Sequence, residues 1–246
     1  MNGDDVARRV RGNLAAVRER IAAACRTAGR DPADVRLVGV TKYVSASLAG
    51  LLLEAGCTDL AESRPQSLWA KAAALAGHGP PPRWHLVGHL QRNKIRRTLP
   101  LTTLLHSLDS LRLLEALEQE AAAAGIVRDA LVEVNLAGDP GRTGLMEADV
   151  AAVIEAAATT PHVRIVGLMG MAAVPVDADA GAAARRQFGR LRAVRDDLAA
   201  RLPAAAGVVE LSMGMSGDFE EAILEGATLV RVGSALWEGV GDGVGG

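Results

Sequence analysis

Aromatic residues and cysteines are scarce in this sequence, and both shortages narrow what the protein can be. Phe, Trp and Tyr together make up 2% of the 246 residues, although 49% are hydrophobic. The core must therefore be built from Ala, Val, Leu and Ile. The only two cysteines, Cys25 and Cys57, have no metal-type spacing and imply no disulfide framework. This cysteine usage fits a reducing compartment, and we expect a cytoplasmic protein.

Long apolar runs and an excess of charge of one sign are also missing. No uninterrupted apolar stretch is long enough to span a bilayer, and residues 1–30 lack the apolar centre of a signal peptide. With 27 basic and 29 acidic residues, the formal net charge is -2. We therefore expect neither nucleic acid nor a membrane as a partner. The basic run of Arg92, Lys94, Arg96 and Arg97 is interpreted as a solvated helix face.

The sequence does contain a regular alternation of short apolar runs and Ala- and Leu-rich helical stretches. An amphipathic helix is predicted over 4–29, where apolar residues recur at helical spacing before Gly29 and Pro32. Eight candidate strands follow, at 35–41, 58–61, 84–87, 103–106, 130–135, 163–169, 208–212 and 228–232. Helices are predicted after most of them, including 110–124, 147–158, 182–202 and 216–225.

Alternating strands and helices are typical of a parallel sheet with helical crossovers. Eight such units in about 215 residues suit a closed barrel. The sequence therefore predicts the α/β class: a single (β/α)8 TIM-type barrel over 1–246, with an extra N-terminal helix within 1–30 and a frayed glycine-rich tail at 239–246. A doubly wound open sheet is the alternative, but the glycine fingerprint that usually follows its first strand is missing.

Lys42 ends the first predicted strand and could carry covalent chemistry. Strand alternation places Lys42 on the same face as Val38 and Val40, at the barrel end where ligands bind. A lysine amine becomes nucleophilic when burial lowers its pKa. The alternative is a surface lysine at a strand end. The next residue, Tyr43, is expected to point to the opposite face.

The last two predicted strands end in turns that are rich in glycine and serine. These turns, 212–217 and 233–234, offer backbone N–H groups and hydroxyls to an anion, at a place where barrels often bind phosphate. Ser216 could instead be an ordinary N-cap for the helix that follows.

Arg231 lies in the last predicted strand, opposite in phase to Val230 and Val232. If the valines face the helices, Arg231 faces the barrel interior and needs an acceptor. It could donate to a ring nitrogen, or it could form an ion pair with Glu133 or Glu210.

His85 and His89 are four residues apart, but Leu86 stands where a zincin helix has its glutamate. The strand-like phase of 84–87 also argues against one helix carrying both histidines, so we expect no metal site.

Several segments together resemble the pyridoxal phosphate homeostasis proteins, which are related to the barrel domain of alanine racemase. The most specific are WHLVGHLQRNK at 84–94 and LSMGMSGDFE at 211–220. Further matches lie at 37–42, 106–110, 134–135, 144–145, 167–169 and 230–234. They run from the first predicted strand to the last, so the resemblance covers nearly the whole chain.

This resemblance implies a set of cofactor-binding residues. Lys42 would form a Schiff base with pyridoxal 5'-phosphate (PLP), and Arg231 would meet the pyridine nitrogen. Ser212, Gly233 and Ser234 would hold the phosphate. The other implied positions are Ser63, His85, Arg142, Met213 and Gly214. The family usually has an asparagine where this chain has Ser63, and usually a lysine where it has Arg142.

The resemblance implies a role in intracellular PLP homeostasis, by buffering the cofactor or delivering it to apo PLP-dependent enzymes. We expect a monomer without robust catalysis, because an arginine leaves the ring nitrogen neutral and the ring a weak electron sink. We also expect no second domain of the kind that gives racemases a tyrosine base. The alternatives are an amino-acid racemase or related PLP enzyme, and a barrel enzyme that uses Lys42 as an aldolase-type Schiff base on another phosphorylated metabolite.

Overall fold

The computed structural model describes residues 2–77, 79, 81–139, 141–173 and 179–240 of the chain. Eight parallel strands form a closed barrel in sequence order, and β8 pairs with β1. The predicted (β/α)8 barrel is therefore confirmed, and the open doubly wound sheet is wrong. The closing register runs from Arg36 opposite Leu229 to Gly39 opposite Val232.

The strands begin and end within two residues of the predicted apolar runs. They are Arg36–Val40 (β1), Asp59–Glu62 (β2), Arg83–Leu86 (β3), Thr102–Leu108 (β4), Arg128–Val134 (β5), Val163–Gly170 (β6), Glu210–Ser212 (β7) and Leu229–Val232 (β8). The helices are Gly3–Thr27 (α1), Ala46–Glu54 (α2), Pro65–Ala74 (α3), Ile95–Thr98 (α4), Leu111–Ala124 (α5), Glu147–Ala157 (α6), Ala180–Arg201 (α7) and Phe219–Leu224 (α8). The prediction for α8 started three residues too early.

Strand alternation divides the core into two layers. The layer between strands and helices takes residues such as Leu60, Leu86, Val230 and Val232. The barrel interior holds a smaller apolar cluster, made of Val38, Val40, Ala61, Leu104, Leu131, Met169 and Leu229. Polar side chains share this interior phase, and they include Arg231, as its phase predicts.

Helix α1 completes the outer ring of helices. After β8, the described chain contains only the short 3-10 helix Ser234–Leu236. Helix α1 packs against α2, α8 and this 3-10 helix. Its Asn13 side chain donates to the carbonyl oxygens of Leu236 (3.0 Å) and Glu238 (2.9 Å). The predicted extra helix thus takes the place of an eighth outer helix.

Two surface expectations can be compared with the structure. In the predicted solvated basic run, Arg92, Arg96 and Arg97 are exposed, whereas Lys94 is half-buried; the run lies on the short 3-10 helix Arg92–Lys94 and on α4. None of the helices in the described ranges is both long and apolar enough to cross a membrane. The predicted frayed tail lies mostly outside the described residues.

Candidate functional site

Lys42 lies at the mouth of the barrel, two residues beyond the end of β1. The Val40 side chain belongs to the interior cluster, and Lys42 follows in a turn with its side chain exposed. The Lys42 Nζ atom lies 4.6 Å from the centre of the Tyr43 ring. The expectation that Tyr43 points away from Lys42 is therefore wrong, because the strand alternation stops at Val40. The amine is accessible to a small molecule.

A buried cluster fixes the backbone just before Lys42. The Thr41 hydroxyl donates to Glu62 Oε1 over 2.6 Å, and Lys71 Nζ donates to the carbonyl oxygen of Thr41, also over 2.6 Å. Lys71 and Glu62 form an ion pair, so their buried charges compensate each other. These contacts join the ends of β1 and β2 to α3, and they fix the position of the backbone from which Lys42 extends.

The turn after β8 directs backbone N–H groups at a serine hydroxyl from the neighbouring loop. Ser216 Oγ accepts hydrogen bonds from the amides of Gly233 (3.1 Å) and Ala235 (3.4 Å). Converging backbone donors of this kind also bind phosphate oxygens. The alternative that Ser216 caps α8 is wrong, because α8 begins at Phe219 with Asp218 before it. Of the two interpretations that the sequence offered for Ser216, a hydroxyl donor in the Gly/Ser turn and an N-cap, the structure excludes the N-cap.

This turn lies directly beside the end of β1. A Cβ atom added to Gly233 would lie 3.5 Å from Val40 Cβ, and Trp237 Nε1 donates to the carbonyl oxygen of Val40 over 2.9 Å. Ser234 follows Gly233 and is exposed. Because Lys42 comes two residues after Val40, the structure brings the lysine and the Gly233-Ser234 turn to the same end of adjacent strands.

Arg231 lies inside the barrel and is only 4% exposed. Its Nη1 atom donates to Ser212 Oγ over 2.7 Å, and its Nη2 atom donates to the carbonyl oxygen of Gly170 over 3.1 Å. Burial lowers the pKa of the guanidinium to about 10, so it stays cationic at neutral pH. Neither Glu133 nor Glu210 forms an ion pair with it; Glu210 instead faces Arg36. The predicted ion-pair alternative is therefore wrong.

A row of buried polar side chains continues from Ser212 across the barrel. His106 Nδ1 lies 2.9 Å from Ser212 Oγ, and His106 Nε2 lies 2.9 Å from His85 Nδ1. His85 Nε2 lies 3.0 Å from Asp59 Oδ1. All four side chains are at most 4% exposed. We call the following five residues the interior row: Arg231, Ser212, His106, His85 and Asp59.

Burial and hydrogen bonding determine which residues of the interior row are charged. Burial lowers the pKa of both His85 and His106, so both rings are neutral at pH 7. Burial alone would raise the pKa of the Asp59 carboxyl, but hydrogen bonds from His85 and Arg83 outweigh it, and the pKa lies far below the usual range. The row therefore has an anion at Asp59, a cation at Arg231 and neutral groups between them.

Three predicted cofactor-binding residues have other surroundings in the structure. Both ring nitrogens of His85 have protein partners, and its side chain is buried. The Ser212 hydroxyl, predicted to hold phosphate, lies between Arg231 and His106. Met213 is buried in the layer between strands and helices. This geometry gives no support to direct cofactor contacts from these side chains.

Ser63, Gly214 and Arg142 lie in loops at the mouth, after β2, β7 and β5. Ser63 is half-buried against Gly88, where an added Cβ would lie 2.2 Å from the Ser63 carbonyl oxygen. The carbonyl oxygen of Gly214 accepts from the Arg231 amide over 3.0 Å. Arg142 is exposed. The cofactor contacts of these three residues remain predictions.

Sequence reasoning missed Asp59 and His106. The signal that could have found them is strand phase, because Asp59 shares the phase of Ala61 and His106 shares that of Leu104. Ala61 and Leu104 both lie in the interior cluster. A polar residue in that phase needs an interior partner.

The closed barrel has an accessible lysine after β1 and, after β8, a turn with converging backbone N–H groups. This combination indicates a class of protein. The model of the family described as "Alanine racemase, N-terminal domain" matches residues 12–239, which include all eight strands. The fold is thus that of a barrel of the alanine racemase N-terminal type.

Closer relatives narrow this class. The pyridoxal phosphate homeostasis protein of Deinococcus radiodurans is 41% identical over 226 residues, covering 91% of this chain and 97% of that protein. The one of Mycobacterium tuberculosis H37Rv is 38% identical over 240 residues, covering 91% and 90%. The structure of PipY from Synechococcus elongatus with PLP bound has a TM-score of 0.80 and 32% identity, covering 92% of this chain and 99% of that one. This chain belongs to the pyridoxal phosphate homeostasis protein family.

Proposed function

We propose that this chain binds PLP as a Schiff base on Lys42 and acts in PLP homeostasis, by buffering or delivering the cofactor. The observation that carries the proposal is that the accessible Lys42 amine and the turn at Gly233, with its converging backbone N–H groups, follow adjacent strands at one end of the barrel. The names of the two curated relatives and the PLP bound to PipY support it.

The donor groups at the mouth suit the parts of this cofactor. A primary amine such as Lys42 condenses with an aldehyde. The amides of Gly233 and Ala235, which converge on Ser216 Oγ, suit a phosphate oxygen, and the exposed Ser234 adds a hydroxyl. We therefore propose Ser216, rather than Ser212, as the serine of the preceding loop that faces the phosphate.

Arg231 argues for holding the cofactor rather than for broad catalysis. A guanidinium has five N–H donors, and the described residues engage them through two hydrogen bonds. Donors therefore remain for a pyridine nitrogen. Because Arg231 is cationic and can only donate, that nitrogen would stay unprotonated, and PLP would supply weaker stabilisation to a substrate carbanion.

A homeostasis role implies apo PLP-dependent enzymes as partners that receive the cofactor. The exposed side chain of Lys42 suits this exchange, because PLP released by hydrolysis of the Schiff base can diffuse away from it. We propose that the chain works as a cytoplasmic monomer, without nucleic acid or membrane partners.

Lys42→Ala tests the proposal directly. We expect the variant to lose the imine absorption band and the PLP adduct that borohydride fixes, because the amine of the neighbouring Lys71 is buried in its ion pair with Glu62. Mass spectrometry of the reduced, digested protein locates the adduct. Lys94→Ala is the matched control, since Lys94 lies in the loop region after β3 and is only half-buried. A reducible adduct that survives in Lys42→Ala would show that Lys42 is the wrong residue.

The contact between Lys42 and Tyr43 favours one alternative, a PLP-dependent racemase, because it places a phenol ring beside the amine. We expect the PLP-loaded protein to incorporate no more than stoichiometric deuterium into L-alanine in deuterated water. Sustained α-deuteration, or D-alanine that disappears in Tyr43→Phe, would replace the homeostasis role with catalysis.

A further inference from the structure

We propose that Asp59 is a positioning residue for Arg231, and that it acts through a one-way chain of hydrogen bonds along the interior row. In one respect this inference rests on the proposed function: it takes the Arg231 guanidinium as the group that meets the cofactor ring. The direction of the chain itself follows from the contacts between these residues and from the charges at the two ends of the row.

The two ends of the interior row determine the direction of its hydrogen bonds. Arg231 can only donate, so Ser212 Oγ accepts from its Nη1 atom. An ionised Asp59 can only accept, so His85 must carry its proton on Nε2. A neutral imidazole has one N–H group, which leaves His85 Nδ1 as an acceptor for His106 Nε2. His106 Nδ1 is then also an acceptor, and it takes the Ser212 hydroxyl proton.

The opposite direction is excluded by the contact at Asp59. It would need a proton on His85 Nδ1, which would leave an unprotonated Nε2 lone pair 3.0 Å from the Asp59 carboxylate. Arg83 Nε also donates to the same carboxylate oxygen over 2.9 Å, which keeps Asp59 ionised. The negative charge of Asp59 therefore selects the tautomer of both histidines.

The direction of the chain matters for Arg231. Because the Ser212 proton is committed to His106, a lone pair of Ser212 Oγ faces the guanidinium. This acceptor and the carbonyl oxygen of Gly170 accept hydrogen bonds from two different nitrogen atoms of the planar guanidinium. The orientation of the remaining N–H donors is thereby fixed. The same commitment leaves Ser212 without a proton for a phosphate.

Asp129 provides a matched control for Asp59. It also lies near the start of a strand, in β5, and it also forms an ion pair with an arginine, Arg164, at 2.7 Å. It has no contact with the interior row. Asp59→Asn and Asp129→Asn therefore each remove one negative charge from an ion pair with an arginine, buried at Asp59 and partly exposed at Asp129, and only the first should affect the histidines.

The first experiment uses the cofactor-free protein and long-range proton–nitrogen NMR of 15N-labelled histidine. In the wild type and in Asp129→Asn, we expect His85 and His106 to be neutral Nε2–H tautomers at pH 7. In Asp59→Asn, we expect this single tautomer to be lost, since an amide can donate as well as accept. An Nδ1–H tautomer in the wild type, or an unchanged spectrum in Asp59→Asn, would overturn the proposal.

The second experiment follows bound PLP by its absorption and its affinity. We expect Asp59→Asn to bind PLP about threefold to tenfold more weakly, the size of one lost hydrogen bond, and to shift the pH titration of the imine band. Asp129→Asn should do neither. In a Ser212→Ala background, Asp59→Asn should have no further effect, because its path to Arg231 is already cut.

The outcomes separate this inference from the proposed function. If the tautomers are as expected but the wild type gives no imine band with PLP, the proposed function fails and the directed chain stands. If PLP binds but Asp59→Asn and Asp129→Asn behave alike, the positioning role fails and the function stands. Circular dichroism spectra and thermal unfolding confirm that each variant is folded. Fully additive effects of Asp59→Asn and Ser212→Ala would also contradict the positioning role.

Discussion

Arg231 is a buried cation whose hydrogen-bond partners in the described part of the chain are neutral. A charge in the interior of a barrel costs free energy unless nearby groups compensate it. Two acidic side chains, Asp218 and Glu133, stabilise the cation from a distance, and Ser212 and Gly170 accept its hydrogen bonds. This arrangement keeps the guanidinium charged without neutralising it in an ion pair, as a donor to a ligand requires.

We predict that Arg231→Ala weakens PLP binding by about 1–3 kcal/mol and changes the absorption of the bound cofactor, because a ring nitrogen loses its donor. Titration of the cofactor-free protein, followed by absorption, measures both effects. Arg201→Ala is the control, since Arg201 forms an ion pair with exposed Asp197 on the surface of α7. An unchanged spectrum and affinity in Arg231→Ala would count against contact between Arg231 and the ring.

His106 predicts how stability depends on pH. Its pKa in the folded protein is well below that of the unfolded chain because it is buried. Its neutral form therefore contributes stability above pH 6.5 that is lost as the pH falls below that value. We expect the wild type to lose about 1–2 kcal/mol of unfolding free energy from this residue between pH 7 and pH 5.

Urea unfolding at the two pH values measures this loss. Glu133 and Asp218 have pKa values raised by burial and act with the opposite sign, so a comparison of variants is needed. His106→Asn should remove part of the pH dependence of the wild type. Equal pH dependence in the wild type and His106→Asn would disprove the assignment.

At the scale of elements, the link between β7 and α8 depends on Gly214. This residue has φ 90°, and an added Cβ would lie 2.6 Å from Ala222 Cβ and 2.8 Å from Phe219 Cα. Gly217, in the same loop, has open space around it. The loop therefore requires glycine at one position and tolerates a side chain at the other.

We predict that Gly214→Ala lowers the unfolding free energy by about 2–4 kcal/mol, through backbone strain and contact with α8. Gly217→Ala should change it by less than about 0.5 kcal/mol. Thermal or urea unfolding of the two variants side by side provides the measurement. Equal stability of both variants would show that α8 can move away from β7.

The elements themselves were largely predictable from the sequence, and their ends were less so. All eight strands follow from short apolar runs, because parallel strands are buried on both faces. The start of α8 was misplaced because Ser216 resembles an N-cap in sequence but bonds to the turn after β8. Tyr43 was misplaced because the sequence does not show that β1 ends at Val40. Both errors lie at the end of an element, where contacts with a neighbouring strand or loop decide the structure.

At the scale of the whole molecule, the barrel is closed by elements from both ends of the chain. Strand β1 pairs with β8, and α1 covers the adjoining outer face. The interior row likewise joins residues far apart in sequence, since His106 and Ser212 are 106 positions apart. Such a row could not be predicted from local patterns, because its partners meet only after the barrel has closed.

We predict that Leu14→Ala in α1 lowers the unfolding free energy by about 2–4 kcal/mol, because Leu14 is 2% exposed against the barrel. Glu19→Ala, at an exposed position of the same helix, should have little effect. Urea unfolding measures both. If the two variants were equally stable, α1 would be an appendage rather than part of the closed ring.

The pairing of β1 with β8 also has a consequence for the protein during its synthesis. Lys42 leaves the ribosome well before the turn at Gly233 and before the Trp237 indole, which bonds to Val40. A nascent chain therefore carries the Lys42 amine before the Gly233-Ser234 turn that lies beside it in the folded protein has been made. We therefore expect Lys42 to capture PLP only after β8 and the turn at Gly233 have been made.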